Sequence, residues 1–273
     1  MVTAENGERI TIKPEISGRF GFNHHKLYVE IYGSLDSPAV ILLHHGLGST
    51  KSWRDQYPFF AAHGYRVVTY DRWGYGKSDP RPHFSMPSFE EDLQDLESLL
   101  DEFKINKTAL LGHSDGGTIA LYFAARQPNR VACLSTVAAH VFVEETMPVG
   151  IYAIQQTYQT DVEFREKLQR VHGDKTESVF WGWCSSWMNE RNLTWDMRSE
   201  LSKITCPTLV IQGIDDEHAS PQHAREIAEA INNAELWLVP AAEHMLPQDY
   251  PDLFNQRVLE FLNREFIPCS TKS

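Results

Sequence analysis

Apolar positions along the chain follow two rhythms that alternate. "AVILLHHG" (Ala39 to Gly46) and "KTALLGHS" (Lys107 to Ser114) are continuous apolar runs, as in strands covered on both faces of a parallel sheet. "KLYVEIYGS" (Lys26 to Ser34) alternates with period two, and "YRVVTYD", "VACLSTVAA", "CPTLVIQG" and "AELWLVP" give further strand-like runs. Helical stretches fall between them. "WRDQYPFFAAHG" reads as a helix closed by Gly64. Ser88, with Glu91 three residues later, has the spacing of a capping box, and Phe89, Leu93, Leu96, Leu100 and Phe103 then share one face. "GGTIALYFAARQP" is stopped by Pro128. Ser220 and Pro221 open a helix with Ala224, Ile227, Ala228 and Ile231 on one face, and Pro251 lies in the first turn of a last helix.

Strands that alternate with helices predict an α/β fold, a mostly parallel doubly wound sheet with helices on both faces. The rhythm breaks between residues 140 and 202. That stretch is aromatic and has helical spacing (Ile151, Ile154, Tyr158; Phe164, Leu168, Val171) but no strand pattern. The expected organisation is a core of residues 1–139 and 203–273, with 140–202 inserted as a helical lid. The lid would lie over the C-terminal strand ends, where such sheets place their ligands.

Composition narrows the class further. The 273 residues carry a formal net charge of −12 and show no Lys/Arg cluster, so a nucleic-acid partner is not expected. No run of about 18 apolar residues predicts a membrane span. The N-terminal stretch has no basic segment followed by an apolar one, so a cytoplasmic protein is expected. Cys133, Cys184, Cys206 and Cys269 lie too far apart for a CxxC site and read as ordinary thiols. His44 and His45 are adjacent at a strand end and point to opposite sides. His24, His25 and His113 show no ligand spacing either, so neither metal nor cofactor is expected.

Gly112-His113-Ser114-Asp115-Gly116 fits G-x-S-x-G between a strand and a helix, the context of a nucleophile elbow. The flanking glycines leave room for a strained serine backbone, and the helix N-terminus favours a developing oxyanion. A serine needs a base, and the base needs an orienting carboxylate. Asp215 and Asp216 follow the penultimate strand, and His244 follows the last one.

With "HHGLG" after one strand and "YDRWGYGKSD" after the next, the chain from about Gly21 to Phe266 resembles the α/β-hydrolase family, of serine-esterase type with a helical lid. In the family pattern the acid lies three residues after the strand-end glycine, here Gly213, which implies Asp216 rather than Asp215. The resemblance also implies a catalytic set of Ser114, Asp216 and His244, and oxyanion donors at the backbone of Leu47 and Asp115. Asp71 and Arg72 read as framework residues that hold a loop. "SDGG" is similar to the valacyclovir-hydrolase-like branch, where an aspartate after the nucleophile is implied in recognising the α-amino group of amino-acid esters. The plainer reading of Asp115 is a helix N-terminal acid stabilised by the dipole. Phe142, Trp181, Trp183 and Trp187 are the candidate aromatic lining for a small-molecule ester. Cleavage of C–C bonds, lactones, thioesters or α-amino-acid esters fits the same residues, as does a ligand receptor without activity.

Overall fold

A computed structural model of the chain describes residues 12–266. Eight strands form one sheet: β1 (Ile16–Phe22), β2 (His25–Tyr32), β3 (Ala39–Leu43), β4 (Arg66–Asp71), β5 (Thr108–His113), β6 (Val131–Val137), β7 (Thr208–Gly213) and β8 (Ala234–Val239). Their spatial order is β1-β2-β4-β3-β5-β6-β7-β8. β2 pairs antiparallel with β1 and β4, and the remaining pairs are parallel. The continuous apolar runs serve two cores at once. Ile41 and Leu43 of β3 join the core on one face, while Val40 and Leu42 join the core on the other.

Helices α1 (Tyr57–Ala62), α2 (Glu90–Glu102) and α3 (Asp115–Arg126) alternate with these strands. Helices α4 (Met147–Thr160), α5 (Val162–His172), α6 (Thr176–Trp187) and α7 (Arg198–Leu201) follow β6, and α8 (Pro221–Ala230), α9 (Leu246–Asp249) and α10 (Pro251–Glu265) complete the chain. The doubly wound α/β architecture is as expected. Between β6 and β7 the extended pairing is a single bridge, Phe142 to Asp196.

Three local expectations are corrected. β1 has no counterpart in the apolar pattern, because Gly18 and Gly21 dilute its alternation. The α1 helix begins only at Tyr57, after a separate short turn of helix at Thr50–Trp53. Ser88 does not cap α2. The N-cap is Phe89 at φ 54°, and the Ser88 hydroxyl donates instead to the Ser85 carbonyl at 2.9 Å. The large apolar Phe89 side chain is buried, so packing decides the start of that helix. Ser220 does cap α8, accepting from the Gln222 backbone N–H, with Pro221 as first helical residue.

Cys133, Cys184 and Cys206 are buried free thiols, whereas Cys269 lies outside the described residues. No helix among the described residues is long and apolar enough to cross a membrane.

Candidate active site

Ser114 joins β5 to α3 at φ 55° and ψ −120°, a conformation that L residues adopt only where the surroundings enforce it. The enforcement is visible. Its N–H donates to the Val137 carbonyl at 2.9 Å, and its own carbonyl accepts from Gly117 and Thr118. A Cβ at Gly112 would sit 2.2 Å from the Gly116 carbonyl oxygen, and one at Gly116 would sit 2.1 Å from that of Leu43. Both glycines are therefore required for the turn to close against β3.

A cavity of about 400 Å3 opens above this turn. Its walls bring Ser114 and Asp115 together with His140, Glu144, Asp216, Glu217, His218 and His244, and with Met147, Ile151, Ile154, Trp183 and Trp187 from α4 and α6. The His244 Nδ1 lies 2.9 Å from Oδ1 and 3.0 Å from Oδ2 of Asp216. The Asp216 side chain is fully buried. It also accepts from the N–H groups of His218 and Ala219 and, at 2.6 Å, from the Gln212 amide. Burial alone would raise its pKa, but the bonds from His244 and the two N–H groups prevail and hold it below the usual carboxylate value. Asp215 is exposed and contributes only a backbone bond to the Ala242 carbonyl.

His113, which shows no ligand spacing in the sequence, donates from Nε2 to the His244 carbonyl at 2.9 Å. Glu217 accepts the His244 N–H at 3.1 Å. The loop carrying His244 is thus held on both sides. His140 holds the loop of Asp216 in the same manner, donating from Nε2 to the His218 carbonyl at 3.0 Å. These bonds reach from separate strands, so no local motif announces them.

Asp115 lines the cavity, but its Oδ2 is already shared by Arg72 Nη2 at 3.3 Å and Trp183 Nε1 at 3.1 Å. Its burial raises its pKa, with the neighbouring Arg72 opposing that rise. Arg72 also faces Asp92, which Arg81 binds at 2.9 Å. The framework reading of Arg72 therefore extends to the elbow itself. Asp71 holds its loop as expected, accepting from the N–H groups of Thr50 and Lys77, both at 2.7 Å.

Two lining residues are corrected. Trp183 and Trp187, four apart on α6, face the cavity, whereas Trp181 lies about 200° round the helix from Trp183. Trp181 donates to Glu177 and packs edge-on against Tyr158. Phe142 packs at a tilt against His223 and lies under Arg198, held there by its bridge to Asp196. Leu47 is not part of the cavity wall, and only its backbone enters the reading. Its neighbour Gly46 packs beneath Trp183, where a Cβ would meet the indole Nε1 at 2.2 Å. Among the described residues no three His, Cys, Asp or Glu side chains gather to hold a metal ion.

A strained serine between β5 and α3, in a mostly parallel sheet with helices on both faces, defines the class. The family model for the alpha/beta hydrolase fold matches residues 38–178, and the chain belongs to that family. It is 28% identical over 258 residues to the human serine hydrolase BPHL, covering 90% of this chain and 86% of that protein. It is 26% identical over 285 residues to 2-hydroxy-6-oxo-6-phenylhexa-2,4-dienoate hydrolase of Burkholderia cepacia, covering 94% of this chain and 98% of that protein. The enol-lactonase of Burkholderia xenovorans superposes with a TM-score of 0.74 at 22% identity, covering 90% of this chain and all of that one.

Proposed function

We propose that the protein is a serine hydrolase that cleaves small carboxylic esters through an acyl-enzyme, with residues 140–202 acting as its lid. The observation that carries this reading is the meeting of strained Ser114 and the His244–Asp216 pair in one cavity. Because Nδ1 of His244 faces Asp216, Nε2 is the nitrogen left for Ser114. His244 takes the hydroxyl proton as Oγ attacks the ester carbonyl. The N–H groups of Leu47 and Asp115 hold the oxyanion, and Asp115 offers a free donor as the first residue of α3. His244 then protonates the departing alcohol. Water, deprotonated by the same ring, attacks the acyl-enzyme, and collapse returns Ser114 and the acid.

Substrate charge separates ester cleavage from the C–C reading. Four carboxylates line the cavity (Asp115, Glu144, Asp216 and Glu217) and no lysine or arginine does. Glu144 is held down to about 2, chiefly by its bond with His223 and then by those from Ser220. A ring-cleavage dienoate is an anion and meets no cationic partner on this wall. An anionic acyl group roughly 8 Å from one carboxylate is disfavoured by about 2 kcal/mol at an effective dielectric of about 20. That corresponds to about thirtyfold in rate. The expected result is therefore that p-nitrophenyl butyrate is hydrolysed at least about thirtyfold faster, by kcat/KM, than the monoester of succinate. Equal rates would remove the charge argument, and turnover of a dienoate in preference to the butyrate would remove the ester reading.

Adding α-amino esters to these substrates tests Asp115. Its carboxylate is occupied by Arg72 and Trp183, so we assign it to the framework of the elbow. Asp115→Ala should lower kcat/KM for α-amino esters and matched neutral esters by the same factor. It should also destabilise the fold by roughly 3 kcal/mol, the low end for breaking a buried ion pair, because Asp92 still faces the guanidinium. A loss confined to the amino esters would make Asp115 an ammonium-binding residue instead.

A further inference from the structure

The segment between β6 and β7 touches the loop after β3 through Trp183, against Gly46, and through one buried histidine. His172 is the last residue of α5, and both of its ring nitrogens are engaged. Nε2 donates to the Leu47 carbonyl at 3.1 Å, and Nδ1 accepts the Gly76 N–H at 3.0 Å. Burial pushes His172 down to about 4, so the ring is neutral and keeps one donor and one acceptor. The two bonds fix which nitrogen carries the proton. Three residues on, Lys175 donates to the Tyr75 carbonyl at 3.0 Å and also to that of Ser78. Burial drives this ammonium down to about 8. The turn between α5 and α6 is thus seated on the core by two side chains that bind only backbone.

Leu47 stands between Gly46 and Gly48, neither of which has a side chain to restrain the peptide planes beside it. The Leu47 carbonyl and the Gly48 N–H share one peptide plane, and that N–H donates to the His45 carbonyl at 3.0 Å. His172 holds the carbonyl end of that plane at 3.1 Å, and the Leu47 N–H lies in the adjoining Gly46–Leu47 plane, one backbone rotation away. We propose that His172 is a positioning residue for the oxyanion loop, holding the Leu47 carbonyl so that the Leu47 N–H keeps its aim at the reacting carbonyl. The inference rests on the serine-hydrolase reading. It makes a residue of the inserted segment part of the apparatus that stabilises charge, beyond any role in covering the substrate. Hydrogen-bond donors stabilise a transition state only when they are already aimed, so loosening the peptide next to this N–H lowers kcat more than substrate binding.

Two conservative variants separate positioning from simple attachment, because each keeps one bond. His172→Gln places an amide N–H near the position of Nε2 and can still donate to Leu47. His172→Asn places an oxygen near Nδ1 and can still accept from Gly76, but it does not reach Leu47. With p-nitrophenyl butyrate, kcat of the glutamine variant is expected to stay within about threefold of wild type. The asparagine and alanine variants are expected to fall at least about tenfold in kcat with little change in KM, below the roughly 10²–10³ that losing an oxyanion donor outright costs. If the alanine variant fails to fold, the comparison of glutamine with asparagine still decides. Equal kcat in those two, or an effect confined to KM, overturns the positioning role and leaves His172 as an attachment. Ser114→Ala runs alongside. If it retains turnover, the serine reading falls and this inference with it. If it is inactive while His172→Ala has wild-type kcat, only the inference falls.

Discussion

Ser114→Ala is expected to abolish ester hydrolysis, with a loss in kcat on the order of 10⁶. The size of the effect follows from what the rest of the site is built to do. The φ 55° backbone, the two glycines that permit it and the bond to the Val137 carbonyl all present one hydroxyl to the cavity. His244 is held by Asp216, His113 and Glu217, and as a base it has no other serine or threonine hydroxyl to act on in the cavity wall except those of Thr146 and Ser220. The Ser220 hydroxyl already donates to Glu144. On the proposed mechanism no acyl-enzyme forms without Ser114 Oγ, and only the slow attack of water beside the proposed oxyanion donors remains. The alanine variant should fold normally. A folded variant that kept a tenth of wild-type turnover would show that the nucleophile lies elsewhere.

The fold was legible because both of its rhythms are strong. β3, β5 and β7 are buried on both faces, so their apolar runs are unbroken. β1 was not legible, since an edge strand with two glycines carries little alternation. The start of α2 was misread because local cap chemistry at Ser88 lost to the burial of Phe89. At the site, strand ends marked Ser114, His244 and the pair Asp215 and Asp216 as candidates, and the preference for Asp216 came from the family resemblance. The residues that hold them could not be read. Gln212, His113, His140 and Glu217 act through backbone carbonyls, N–H groups or a carboxylate brought near only by the fold. Helical geometry could have separated Trp181 from Trp183 in advance, since residues two apart on a helix face different ways. Phe142 had no such signal, because it precedes α4 and its direction depends on the bridge to Asp196.

Asp216→Asn is expected to cost roughly 10⁴ in kcat, while Asp215→Asn changes it by less than about threefold. The two residues are chemically identical neighbours, so the contrast isolates position. Asp216 is fully buried with both oxygens engaged: Oδ1 by His244, His218 and Ala219, and Oδ2 by His244 and Gln212. An asparagine there must place either its oxygen or its amide toward His244 Nδ1. With the amide toward the ring, Nδ1 becomes an acceptor, the proton moves to Nε2, and the ring can no longer take a proton from Ser114. With the oxygen toward the ring, the tautomer survives, but the charge that stabilises the imidazolium is gone. Bonds from Gln212 and the two N–H groups, all donors, favour an oxygen in each of their positions, so the neutral amide also leaves at least one donor opposed by another. Asp215 is exposed, and the asparagine change leaves its backbone bond to Ala242 intact. Steady-state kinetics on the two folded variants measure the contrast directly. The reverse ranking would move the orienting carboxylate to Asp215, and comparable losses in both would mean that the loop as a whole, rather than one carboxylate, sets the state of His244.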